Sequence, residues 1–165
     1  MLSWQETSIL IHDGEVAMQA HQHVTPTDTR PVDVLSAVAT DVKDVTEGYV
    51  TMIDRAEDDL KPFVQLLRAL HVSHLRELFA ELQHLGGHPK DTGSYMATVH
   101  TAVATLRDWT GTLDASGLPQ IIDGEDTIIA SYDAALNDLQ KHPAQRSLIE
   151  KHRAALATHV DALRD

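Results

Sequence analysis

Four stretches of this chain carry residues of apolar character alternately three and four positions apart, and glycine, proline or paired aspartates mark their boundaries. That spacing puts each set on one face of a helix, and helices with one apolar face must bury it against one another. The first stretch starts at Pro31, runs to about residue 57, and carries Leu35, Val38, Val42, Val45, Tyr49 and Met52. Asp58 and Asp59 are placed to cap the second, in which Leu60, Val64, Leu67, His71, His74, Leu78, Glu81 and Leu85 share a stripe until Gly86-Gly87. The third has Pro119 in its first turn and continues through Ile121, Glu125, Ile128, Tyr132, Ala135 and Leu139. His142-Pro143 turns the chain into the last, with Ile149, His152, Leu156, His159 and Leu163.

Between Gly86 and Pro119 lies a connection too long for a hairpin, with a shorter periodic stretch of its own from Ser94 to Thr110 carrying Met96, Val99, Val103 and Leu106. Two helical hairpins joined by one long crossover is the ferritin-like arrangement. The predicted fold is therefore all-α: a ferritin-like four-helix bundle over residues 31–165 with a helix-containing crossover, preceded by an N-terminal extension, residues 1–30. That extension is polar and is interrupted at Asp13-Gly14 and Thr25-Pro26. Aromatic residues are only 4% of the chain, so the core has to be built from Leu, Val, Ile and Ala.

Composition narrows the function. Asp plus Glu number 25 against 13 Lys plus Arg, a formal charge of −12 that repels phosphate backbones and anionic lipid. Neither nucleic acid nor membrane is expected as a partner. With no cysteine, thiolate nucleophiles, iron–sulfur clusters and cysteine zinc sites are excluded. Met1 to Gly14 has no basic leader pattern, which makes a cytoplasmic location the expectation. The chain shows no phosphate loop, nucleophile elbow or His-Glu-x-x-His motif.

The informative residues are polar ones on apolar stripes. His71, His74, His152 and His159, together with Glu81 and Glu125, have apolar neighbours three and four positions away. Counting residues from the helix ends puts His71, His74, Glu125 and His159 at one height, with Tyr132 and His152 in a second layer about two turns off. His100 could cover that second layer from the crossover. Imidazoles with one carboxylate suit iron or zinc better than magnesium or calcium. A di-iron centre would need a Glu from each of two helices and Glu-x-x-His from each of the others. Glu81-x-x-His84 has the letters, but His84 is off the stripe, and Glu150-Lys151-His152-Arg153 lacks them. The alternative is a metal-free core in which these groups satisfy one another by hydrogen bonding, with Tyr49 and Tyr132 as core fillers. His12, His21, His23, His84, His88 and His142 are expected at the surface.

At Leu85-Gly86-Gly87-His88-Pro89, Gly93-Ser94, His100, Gly124-Glu125-Asp126 and Tyr132 the chain resembles a bacterial family of ferritin-like four-helix-bundle proteins described as a domain of unknown function. The resemblance implies that fold and a carboxylate and histidine metal site. The family's Asp-Gly-Glu on the first helix reads Asp44-Val45-Thr46 here, so one inward carboxylate is missing. Glu47 points about 100° away from that position. The expectation is thus a protein that binds a transition metal, iron or zinc, through His71, His74, Glu125 and His159, without efficient oxidase turnover. Against it stands a metal-free stress-associated or protein-interaction bundle, whose acidic surface and N-terminal arm recognise a partner or a second copy in a homodimer.

Overall fold

The computed structural model describes residues 30–87 and 112–164. Four long helices account for most of them: α1, Pro31–Arg55; α2, Lys61–His84; α3, Leu118–Asp138; and α4, Pro143–Arg164. A single 3₁₀ turn, Ala115–Gly117, leads into α3, and no strand occurs among the described residues. Each helix has proline in its first turn, where a missing N–H costs nothing. The N-terminal extension to residue 29 and the crossover stretch Ser94–Thr110 with His100 lie outside the described residues.

Two boundaries differ from expectation. Helix α1 stops at Arg55 because the backbone beyond it pairs with the segment before α3: Leu113 N–H donates to Arg55 O and Glu57 N–H to Leu113 O, both at 2.9 Å. Neither Asp58 nor Asp59 caps α2. The residue before the helix is Leu60, and the first turn is closed by backbone, with Lys61 N–H donating to Glu57 O at 2.9 Å. The other end of α2 follows the sequence: Gly86 takes φ of +72° and Gly87 N–H donates to Leu82 O at 2.8 Å. A Cβ on Gly87 would collide with Val32 Cγ2, so the exit of α2 lies hard against the start of α1.

The helices pack in a ring: α1 against α2 and α3, and α4 against α3 and α2. Side-chain pairs fix their directions. Between α3 and α4, Asp133 meets Arg153 and Asp126 meets Arg164, and between α2 and α4, Glu77 meets Lys151 and Glu81 meets Gln145, so both pairs are antiparallel. Ser131 with Asp41 and Glu125 with Tyr49 make α1 and α3 antiparallel as well. Helix α2 thus runs parallel to α3, its diagonal neighbour. Gly87 sits at the start of α1 and Leu113 at its end. These two ends are therefore about the length of α1 apart, roughly 37 Å at 1.5 Å per residue. The core is aliphatic as expected, with Leu35, Val42, Leu78, Ile128, Leu139, Ile149 and Leu156 fully buried.

Candidate functional site: a carboxyl, imidazole and phenol core

The polar residues on the stripes enter the same core. Glu125 on α3 is 0% exposed, and two side chains from other helices close on it. Tyr49 of α1 donates its hydroxyl to Oε1, and His71 of α2 places Nε2 2.9 Å from both Oε1 and Oε2. With Nε2–H donating, His71 Nδ1 is left as an acceptor with no hydrogen-bond partner. The Tyr49 and His71 rings lie nearly parallel, 5.8 Å between centroids. Burial, and then the Glu125 charge beside it, hold the Tyr49 phenol well above its ordinary range.

A second group adjoins the first. His74, one turn beyond His71, has Nδ1 3.0 Å from the Tyr132 hydroxyl and stacks on His152 of α4 with centroids 4.1 Å apart. His152, itself fully buried, places Nε2 3.2 Å from Glu77 Oε2, and Lys151 Nζ donates to the same carboxylate at 2.9 Å. This group reaches the surface, since Glu77 and Lys151 are exposed by 36% and 67%. Burial lowers the His74 pKa to about 3, with His152 and His71 adding to the effect. Burial also lowers His152, against the pull of Glu77, while the Lys151 hydrogen bond lowers Glu77. Tyr132 is raised by burial and then by Glu125 and Asp41. The two groups touch where His71 meets His74 edge to face at 6.2 Å.

Of the four ligands read from the sequence, His71, His74 and Glu125 are buried and His159 is half-buried. The buried positions of α4 run Ile149, His152, Leu156, Val160. The step after Leu156 is four residues rather than three, because a 3.6-residue helix drifts away from a strict heptad, and Val160 takes the inward place. His74 belongs with Tyr132 and His152, so the two layers expected two turns apart are one continuous core. Thr46 fills the place of the missing carboxylate and is buried, its hydroxyl donating back to Val42 O at 2.6 Å. Glu47 is exposed and pairs with Lys43 at 2.8 Å. Tyr49, three residues on, supplies the α1 contact to Glu125 instead. The signal for it was its place on the stripe, which a core filler shares.

Elsewhere His84 is exposed and His142 half-buried, whereas His12, His21, His23 and His88 fall outside the described residues. Glu81 is half-buried and accepts from Gln145 Nε2 at 2.6 Å. Among the described residues no three His, Asp or Glu side chains are grouped so as to hold a metal ion. A di-iron centre of the Glu-x-x-His type does not fit, because Glu125 is the one buried carboxylate of the described core.

Fold and site together define an all-helical protein whose four described helices enclose a buried carboxyl, imidazole and phenol cluster. The chain belongs to the family described as a domain of unknown function, DUF2383, whose model matches residues 30–138. The match takes in α1, α2 and α3, and with them Tyr49, His71, His74, Glu125 and Tyr132, but not α4 with His152 and His159. No curated protein and no solved structure matches the chain. No described helix is long and apolar enough to cross a membrane.

Proposed function

We propose that this protein is a ferritin-like four-helix bundle that takes one transition metal ion, iron or zinc, at the Glu125 and His71 pair, with His74 alongside, and does not turn over as a di-iron oxidase. What carries the reading is that an imidazole nitrogen and a carboxylate from different helices converge at 2.9 Å in a core with no exposure to water. Ionisable groups are costly to bury, and their convergence on one point is commoner at functional sites than in plain cores. The long connection between α2 and α3 supports the ferritin-like assignment. A bound ion would supply a fixed positive charge. The chain's own part is to hold the imidazole and carboxylate together and exclude water.

The test is elemental analysis of untagged protein after dialysis. About one metal per chain is expected, falling to background in Glu125→Gln and His71→Gln variants that keep their helical content. Metal content unchanged by both substitutions would refute the reading.

A metal-free bundle is the second reading, favoured by the hydrogen bonds that Tyr49, Glu125, His71, His74 and Tyr132 already make with one another. On that reading the cluster fixes helix register, and function lies in recognition of a partner or a second copy. Sedimentation analysis of wild type would then give a dimer that carries no metal.

A further inference from the structure

We infer that Tyr49, as a phenolate, is the third protein donor of this metal site, and that it makes ferric iron the ion the site takes; this rests on the metal reading above. The Tyr49 hydroxyl and His71 Nε2 come from α1 and α2, yet both point at the same Glu125 carboxyl on α3. Their rings lie 21° from parallel, and the contacts to Glu125 bring both polar ends to the same carboxyl. An ion held about 2.0–2.1 Å from an imidazole nitrogen and a carboxylate oxygen at a right angle separates them by about 2.9 Å. The 2.9 Å between His71 Nε2 and each Glu125 oxygen is that of the hydrogen bond itself, which the ion would replace. The third donor within reach is a phenol and not a histidine, because His74 Nδ1 is engaged with Tyr132 and its ring stacks on His152. His159 lies on the half-buried flank of α4.

The donor set is thus two anionic oxygens and one imidazole, with no sulfur. Hard oxygen donors select hard, highly charged cations, which places ferric iron ahead of zinc. Loading forms one Fe–N and two Fe–O bonds. The Tyr49 O–H breaks, and its proton leaves to water. The His71 proton moves from Nε2 to Nδ1, the buried nitrogen that has no hydrogen-bond partner. Iron supplied in the ferric state needs no oxidant.

Ferric nitrilotriacetate is added to the untagged full chain before refolding from urea, so that burial does not bar entry, and free iron is removed by gel filtration. Wild type is expected to retain iron and show the broad visible band of phenolate-to-ferric charge transfer. Tyr49→Phe should lose the band and bind iron at least about tenfold more weakly, while Tyr132→Phe keeps both. Iron retained in a Glu125-dependent way but colourless, or a band that survives Tyr49→Phe, overturns the assignment to Tyr49 and leaves the metal site standing. Wild type holding no more iron than Glu125→Gln overturns the ferric site, and the metal reading falls with it when zinc is not retained either.

Discussion

The two halves of the polar core face different surroundings. Tyr49, Glu125 and His71 form a closed group, 0% exposed, in which one carboxyl serves two donors. Tyr132, His74 and His152 form an open one, whose last imidazole hydrogen-bonds to a carboxylate at the surface. Stacking, and not a hydrogen bond, joins His74 to His152. The difference teaches that similar residues on similar stripes are held by different physics: convergence on a buried acid in one case, a neutral imidazole stack tethered to solvent in the other.

The comparison breaks most readily at Glu125. Glu125→Ala strands the Tyr49 hydroxyl and His71 Nε2 together, and urea denaturation should show a loss of about 3–5 kcal/mol. Glu125→Gln, which keeps the shape and an acceptor, should lose less. If the two variants were equally stable, convergence on the acid would not be what holds the closed group.

Acid should act on the open group. His74 titrates near 3 in the folded chain and near 6.5 when unfolded, so below pH 6.5 the unfolded chain takes up the proton first. Stability contributed by neutral His74 is complete above pH 6.5 and is lost as pH falls from there towards 3. The groups around it are His152, His71, Tyr132, Glu77 and Lys151. The fall should amount to a few kcal/mol, and His74→Phe should flatten the part of the profile between pH 6 and 4, roughly the span in which an unfolded His changes charge. An unaltered slope in that variant would move the effect elsewhere.

Removing single hydroxyls sharpens the contrast. Tyr49→Phe should cost about 1–3 kcal/mol and Tyr132→Phe about 1 kcal/mol by thermal or urea unfolding, since only the former withdraws a donor from the acid. At the rim, Lys151→Ala should change stability by less than about 1 kcal/mol, because the bridge to Glu77 is largely solvated. A larger loss there would mean that the surface pair, through Glu77 and His152, holds the stack in place.

Much of this was written in the chain. The helix stripes, the glycine stop after His84, the proline starts and the presence of His71, His74 and Glu125 in the interior were all legible, because local spacing decides which face of a helix is apolar. Register over several turns was not. His159 was read inward on a heptad count, and the real drift of α4 put Val160 there. Nor could spacing say that Asp58 and Asp59 would leave α2 uncapped, since the pairing of Leu113 with Arg55 and Glu57 comes from a segment more than fifty residues away in the chain.

By itself, then, the sequence determined that helices form, where they break, and that ionisable groups share their apolar faces, for these follow from interactions within a few residues. Only the tertiary structure decided which group meets which: Tyr49 with Glu125 across α1 and α3, His71 with the same acid across the diagonal, and His152 against His74 from α4. Those partnerships depend on how far each helix is turned about its axis when the ring closes, a quantity set by packing of all the helices together and carried by no single stretch of residues.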